Sequence, residues 1–259
     1  MAVNVGNTQT KLGVFEGEYL RARWRMTTEA HRTADELGAS ISSLKSLRNM
    51  RLSDVRAIII ASDVPALGRS YRELGDLLDV PFYAVTREMK TGLPNLYDDP
   101  EAVGSDRIVN AVAAKEIYGT PAIIVDFGTA TTVCAVDGAG AYRGGAIMPG
   151  VYVSLDAMIS RAAKLSSVDL EEKETQAIAT NTPDSIRSGF LYGYAGAIDA
   201  LIRRFREELS AEGSSESPRV IATGGPASAI VRHCREIEKL DPDLTLKGLK
   251  VLYALNAPG

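Results

Sequence analysis

Two short segments of the chain combine glycine, threonine and asparagine in an order that suits phosphate binding. They are Val3–Thr10 and Val125–Thr132. Each is an apolar run with a polar residue at its second position, a glycine two residues later and a threonine four residues beyond that. Turns of this composition leave backbone N–H groups uncovered and add hydroxyl donors, which together form a concave anion site. The pattern predicts two turns that bind phosphate oxygens.

Glycine and lysine residues in these turns allow close contact with a phosphate. Gly6 and Gly128 let the backbone approach a phosphate closely because no Cβ intervenes. Lys11 can reach a phosphate as a point charge. A third turn of the same type, Thr223–Gly225, ends an apolar run, where α/β folds commonly place ligands.

A separate segment, Gly104–Arg107, places a carboxylate and a guanidinium at the predicted start of a helix. Ser105 is expected to cap that helix, with Asp106 and Arg107 in its first turn. The helix N-terminus and the adjacent arginine both favour an ionised carboxylate. Asp106 is therefore a candidate acceptor for a substrate hydroxyl, with Arg107 binding an anion. Taken alone, the segment is more often an ordinary acidic first turn with a solvated arginine.

The elements that must position these residues alternate between strands and helices, which predicts an α/β fold. In the first half of the chain we expect strands at 3–5, 12–15, 19–26, 57–61 and 81–85, with helices at 33–47, 66–79 and 104–118. In the second half we expect strands at 122–127, 133–136 and 219–222, with helices at 151–164 and 183–210. The tail, Leu244–Leu255, is predicted as a glycine turn and an apolar strand. The repeated hairpin predicts two related halves, 1–117 and 118–259, with a ligand cleft between them.

Composition and missing motifs exclude several classes of protein. The 259 residues carry a net charge of −4 with both signs mixed along the chain, so nucleic acid is not an expected partner. The apolar runs are too short to cross a bilayer, and no signal peptide is expected. The two cysteines, Cys134 and Cys234, form neither a disulfide framework nor a metal spacing, which fits the cytoplasm. No P-loop, Rossmann fingerprint or hydrolase elbow occurs.

Taken together, the motifs resemble those of type III pantothenate kinases. The family motifs are matched in order by Asn4–Lys11, Gly104–Arg107, Asp126–Thr132, Gly144–Gly150 and Thr223–Gly225. Smaller matches occur at Thr33–Glu36, Asn181–Thr182 and Leu244–Leu249. The resemblance covers nearly the whole chain, and the set of motifs is far more specific than any one of them.

The resemblance implies two actin-like domains related by internal duplication, with the nucleotide between them. It implies ATP-dependent phosphorylation of pantothenate to 4'-phosphopantothenate, the first committed step toward coenzyme A, in a cytoplasmic homodimer. Asp106 is then the catalytic base, and Asp126 helps to hold a monovalent cation, K⁺ or NH₄⁺, which the family needs besides Mg²⁺. The implied nucleotide-binding residues are Asn4, Gly6, Asn7, Thr8, Thr10, Lys11, Gly128, Thr129, Gly224 and Gly225. The implied pantothenate-binding residues are Tyr97, Gly104, Ser105, Arg107 and Thr182.

The first motif departs from the family at Asn4, where an aspartate is expected. Asparagine keeps one carbonyl ligand but removes a negative charge that magnesium prefers. Two interpretations stay open at this point: a working kinase, or a catalytically impaired paralogue that keeps the nucleotide pocket and acts as a ligand-binding or regulatory protein. A third and weaker hypothesis is a sugar kinase of the same superfamily.

Overall fold

The structure, a computed structural model, describes residues 1–161, 168–171, 175–211 and 216–257. The chain divides into two compact units. Unit 1 combines Met1–Gly92, Asp99–Ala113 and the segment from Leu244 onward, and unit 2 combines Leu93–Asp98 with Ala114–Asp243. The predicted boundary near residue 117 therefore lies close to one of the observed divisions, whereas the C-terminal segment belongs with the N-terminal unit.

Unit 1 is built on a five-stranded sheet with the order β3-β2-β1-β4-β5. Its strands are β1 (Ala2–Val5), β2 (Gln9–Glu16), β3 (Tyr19–Thr27), β4 (Ile58–Ser62) and β5 (Phe82–Ala84). Its helices are α1 (Ala34–Ser46), α2 (Pro65–Leu77), the first part of α3 (Ser105–Tyr118) and α7 (Leu244–Asn256). The apolar strand residues Val3, Val5 and Leu12 lie in one buried cluster with residues of α1 and α2, and α7 packs on β1, β2 and β4.

Unit 2 repeats this plan with the sheet order β10-β9-β6-β7-β8. Its strands are β6 (Ala122–Phe127), β7 (Ala130–Val136), β8 (Tyr142–Pro149), β9 (Arg219–Gly224) and β10 (Lys239–Leu240). Its helices are α4 (Val151–Arg161), α5 (Thr182–Ala211) and α6 (Ala227–Val231). Ile123, Val125 and Phe127 lie in a buried cluster with residues of all three helices.

The internal duplication is visible in strand pairing. In each unit the strand of the glycine–threonine motif pairs antiparallel with the next strand and parallel with a later one: β1 with β2 and β4, β6 with β7 and β9. The two sheets therefore have the same strand order when one of them is read in reverse. The α/β fold with two related halves, predicted from the repeated hairpin, is confirmed.

Most predicted elements agree with the observed ones within a few residues. Thr33 and Glu36 form the predicted capping box at the start of α1, with reciprocal hydrogen bonds. The predicted end of α4, at 162–164, lies outside the described residues.

The strand predicted for the tail is wrong, because Leu244–Asn256 forms the helix α7. Leu249 and Leu252 are buried on one face of this helix, at helical spacing. Gly248 lies inside α7 against α3. Any other residue would clash there, because an added Cβ would lie 2.3 Å from the carbonyl oxygen of Val109 on α3. Glycine at this position permits close packing of the two helices, and does not mark a turn.

Candidate functional site

The first glycine–threonine turn joins β1 to β2 in unit 1. The Gly6 N–H donates to the Gln9 carbonyl at 3.2 Å, which closes the turn and leaves Asn7 and Thr8 exposed at its tip. Asn4 and Lys11 are cross-strand partners, so their side chains lie on the same face of the sheet. Both are partly buried. The turn thus presents backbone N–H groups, an amide and an ammonium at one end of the sheet.

The second turn joins β6 to β7 in unit 2 and is also a tight one. The Gly128 N–H donates to the Ala130 carbonyl at 3.1 Å, and Gly128 and Thr129 are exposed. Gly150 supports the turn from behind: its N–H donates to the Thr129 carbonyl at 3.0 Å. A Cβ on Gly150 would lie 2.3 Å from that oxygen, so only glycine fits. The sequence shows that Gly150 belongs to a motif, but it does not show that the Gly150 N–H donates to the Thr129 carbonyl, because the two residues are far apart along the chain.

Asp126 lies at the end of β6 beside two threonines. Its cross-strand partners are Thr132 on β7 and Thr223 on β9, so the three side chains share one face of the sheet. The Thr223 hydroxyl is fully buried and has no hydrogen-bond partner within the described ranges. A buried hydroxyl without a partner costs free energy, and it is an available oxygen ligand beside a carboxylate.

The third turn follows Thr223 and comes close to β6. Gly224 has a φ of 105°, in the left-handed region, and an added Cβ would lie 2.3 Å from the Phe127 carbonyl oxygen. This contact brings the Thr223–Gly225 turn next to the end of β6, where Asp126 and Gly128 also lie.

Gly224→Ala is expected to lower the free energy of unfolding by about 3 kcal/mol, because the methyl group meets backbone atoms and the φ angle is strained. Gly225→Ala is the matched control, since a Cβ there meets no atom within 4 Å in the described structure. Thermal denaturation followed by circular dichroism should show a lower Tm for the first variant only. Equal Tm values for both would contradict the close approach.

The Gly104–Arg107 segment begins α3, in unit 1. Asp106 Oδ1 accepts the Arg107 backbone N–H at 2.7 Å, and the Arg107 guanidinium donates to the Ala102 carbonyl at 3.1 Å. The prediction that Ser105 caps this helix is wrong. Ser105 is the first residue of α3, and its buried hydroxyl has no hydrogen-bond partner among the described residues. The Gly104 carbonyl instead accepts the N–H groups of Arg107 and Ile108.

Two further candidates, Tyr97 and Thr182, belong to unit 2. The Tyr97 ring packs over Gly144, where a Cβ would come within 3.1 Å of ring carbons, and its centroid lies 6.4 Å from that of Tyr142. Thr182 is the exposed first residue of α5. It lines an open cavity of about 430 Å³ together with Met158, Phe190 and Tyr194.

The predicted site residues thus form groups within each unit. Unit 1 holds Asn4–Lys11 and Gly104–Arg107, and unit 2 holds Tyr97, Thr182 and the cluster of Asp126, Gly128, Thr129, Gly224 and Gly225. Sequence reasoning missed Thr28, whose side chain contacts the first turn. No local signal marks it, because its contacts with Gly6 and Thr10 span 22 and 18 residues.

Solved structures of low sequence identity share this fold. A Baf family protein from Campylobacter jejuni matches with a TM-score of 0.59 at 16% identity, covering 98% of each chain. The activator of the 2-hydroxyisocaproyl-CoA dehydratase from Clostridium difficile, with bound ADPNP, matches with a TM-score of 0.51 at 13% identity, covering 98% of this chain and 93% of that one. With the duplicated sheets, these matches show that the chain has an actin-like fold of two related α/β units.

Comparison of the sequence with known families and relatives is more specific than the comparison of folds. The family model for type III pantothenate kinase matches residues 1–204. A type III pantothenate kinase of Rubrobacter xylanophilus is 68% identical over 258 residues, covering 99% of this chain and 98% of the relative. One of Listeria monocytogenes is 44% identical over 259 residues, covering 100% and 98%. The chain belongs to the type III pantothenate kinase family, as its motifs predicted.

Proposed function

We propose that this protein transfers the γ-phosphate of ATP to the primary hydroxyl of pantothenate, giving 4'-phosphopantothenate for coenzyme A synthesis. The observation that carries the proposal is the 68% identity to a type III pantothenate kinase over almost the whole chain. The exposed glycine–threonine turns and the carboxylate at the start of α3 supply the chemistry that this reaction needs.

The glycine–threonine turns bind ATP in this proposal. In unit 1 the proposed phosphate-binding residues are Asn4, Gly6, Asn7, Thr8 and Lys11, while Thr10, at 3% exposed, supports the turn from β2. Gly128, Thr129, Gly224 and Gly225 serve the nucleotide from unit 2. Support comes from the exposure of both hairpin tips, whose backbone N–H groups are the usual donors to phosphate oxygens.

Asp106 is the proposed catalytic base. Phosphoryl transfer through a loose transition state depends mainly on positioning and charge stabilisation. The substrate proton leaves late in such a reaction, so the Asp106 carboxylate first orients the hydroxyl as a hydrogen-bond acceptor and then takes its proton. Its partly exposed position at the helix start leaves the carboxylate accessible to a substrate.

Mg²⁺ and a monovalent cation, K⁺ or NH₄⁺, complete the proposed chemistry by neutralising charge on the phosphates. Within the described ranges no cluster of three or more His, Cys, Asp or Glu side chains suits a metal ion. Asn4 would offer one carbonyl oxygen to Mg²⁺ in place of a carboxylate. Asp126 and the Thr223 hydroxyl, which has no hydrogen-bond partner among the described residues, fit a monovalent cation, since both are oxygen ligands on one face of the sheet.

A coupled assay tests the main proposal. Purified protein with ATP, Mg²⁺, K⁺ and pantothenate should release ADP in step with the formation of phosphopantothenate, detected by mass spectrometry. A parallel reaction with glucose or N-acetylglucosamine in place of pantothenate is the control. Turnover on a sugar but not on pantothenate would overturn the proposal and favour a sugar kinase.

The alternative, a catalytically impaired paralogue that binds nucleotide without turnover, is motivated by Asn4 alone. The comparisons give it no support, since these close relatives are described as kinases. It predicts measurable binding of ATP by wild-type protein without turnover.

We also place the protein in the cytoplasm as a homodimer, with neither nucleic acid nor a membrane as partner. In the described part of the chain, no helix has the length and hydropathy needed to cross a membrane. Unit 2 exposes the apolar side chains of Ile147 on β8 and Val153 on α4, at 60% and 46%, which supports an interface on this unit. Light scattering of the purified protein measures the oligomeric state.

Arg107 is proposed to pair with the pantothenate carboxylate, and Arg107→Gln tests this role. Loss of a charge-assisted hydrogen bond costs about 1.5–3 kcal/mol, so the KM for pantothenate should rise about tenfold or more while the KM for ATP stays constant. Arg69→Gln, at an exposed position on α2, is the control. Initial rates with each substrate varied in turn give both KM values. A rise in both would point to a general disturbance of α3.

A further inference from the structure

Thr28 follows β3 and contacts the first turn at three points. Its hydroxyl donates to the Gly6 carbonyl at 2.8 Å and lies 2.9 Å from the Thr10 hydroxyl. Its backbone N–H donates to the Thr8 carbonyl at 3.0 Å. One residue, 18 positions beyond Thr10, thus holds both sides of the turn.

The direction of these hydrogen bonds follows from counting hydrogens. A threonine hydroxyl carries a single hydrogen, and that of Thr28 goes to the Gly6 carbonyl, which can only accept. The Thr10 hydroxyl must therefore be the donor in its contact with Thr28. Thr10 is 3% exposed, so in this arrangement its hydrogen serves Thr28 and is not available to a phosphate.

Anchoring a carbonyl also fixes the N–H of the next residue. In a planar trans peptide the C=O and the following N–H point in opposite directions. Thr28 holds the carbonyls of Gly6 and Thr8, so the N–H groups of Asn7 and Gln9 are directed away from Thr28. A phosphate site made of backbone N–H groups depends on this direction, because preorganised donors need no rearrangement on binding.

We propose that Thr28 is a positioning residue that sets the geometry of the phosphate-binding turn through Gly6 and Thr10, without touching the nucleotide itself. This inference rests on the proposed function, because it takes the turn as part of the ATP site. It also changes the role of Thr10, which acts as a link between Thr28 and the turn.

The test compares variants that keep or remove the Thr28 hydroxyl. Thr28→Val keeps the shape but leaves the Gly6 carbonyl and the Thr10 hydroxyl without their partner. Affinity for a non-hydrolysable ATP analogue, measured by titration calorimetry with Mg²⁺, should fall about tenfold. The KM for ATP should rise similarly, with the KM for pantothenate unchanged. Thr28→Ser restores the hydroxyl and should keep the analogue affinity within about twofold of wild type.

Thr27→Val is the matched control, since it makes the same change at the exposed neighbouring position. A merely structural role would lower the Tm of Thr28→Val and leave analogue affinity and the KM for ATP as in wild type. That result would overturn the inference, as would equal losses in Thr28→Val and Thr28→Ser. If Thr28→Val does not fold, Thr28→Ala also lacks the hydroxyl and takes its place with the same expected losses.

The binding measurement separates this inference from the proposed function. Analogue titration needs no turnover, so it reports on Thr28 whatever the acceptor substrate is. Wild-type protein that binds the analogue but does not phosphorylate pantothenate would contradict the proposed function, while a tenfold loss in Thr28→Val would still support the role of Thr28.

Discussion

The Asp106→Asn variant is expected to lose turnover by about a hundredfold or more while its affinity for ATP stays close to that of wild type. An amide cannot accept the proton of the pantothenate hydroxyl, and it can orient that hydroxyl only through its oxygen. The substitution should leave α3 intact, because the amide oxygen can still accept the Arg107 N–H that Asp106 Oδ1 accepts at 2.7 Å. The loss would therefore appear in kcat, and calorimetric titration with an ATP analogue would show unchanged affinity.

Asp35→Asn provides the control for this prediction. Asp35 is an exposed carboxylate in the first turn of α1, in the same unit. Removing its charge weakens the interaction with the helix dipole by less than about 1 kcal/mol and should not change kcat. If Asp106→Asn turned over at the wild-type rate, Asp106 would not be the base. If both variants lost activity equally, a general effect of charge at helix starts would explain the result.

The turns could be predicted from the sequence because their chemistry is local. A glycine at a fixed distance from an apolar run identifies a hairpin tip, and the repeat of that pattern at Val3 and Val125 indicates duplication. The observed sheets confirm this, since β1 and β6 have the same kinds of neighbours.

Contacts between distant residues were not predictable in this way. Thr28 supports the first turn and Gly150 supports the second. Each of these contacts forms only because another element, β3 for Thr28 and β8 for Gly150, packs beside the turn. The α7 helix was missed because Gly248 resembles a turn signal in sequence, whereas it actually allows close packing on Val109. Ser105 has a side chain typical of a helix cap, but the helix begins one residue earlier than that role requires.

The Asn4→Asp variant is expected to raise kcat, by about tenfold up to a thousandfold, and to lower the Mg²⁺ concentration needed for half-maximal rate. A carboxylate at this position adds a negative charge, and Mg²⁺ prefers a carboxylate oxygen to an amide oxygen as a ligand. Folding should tolerate the change, because Asn4 lies directly across from Lys11 and opposite charges stabilise such a pair. Initial rates measured over a range of Mg²⁺ at fixed ATP and pantothenate give both quantities.

Gln9→Glu separates a specific effect of Asn4→Asp from a general effect of charge. Gln9 is exposed on the same hairpin but lies outside the cross-strand pair of Asn4 and Lys11, so glutamate there adds the same charge at a different place and should not raise kcat. Turnover by wild-type protein that increases only in Asn4→Asp would describe a working kinase limited by its metal site. Turnover that appears only in the variant would identify an impaired paralogue. An unchanged rate and Mg²⁺ requirement would mean that ATP and water already satisfy the metal, and that the missing charge at position 4 costs this chain nothing.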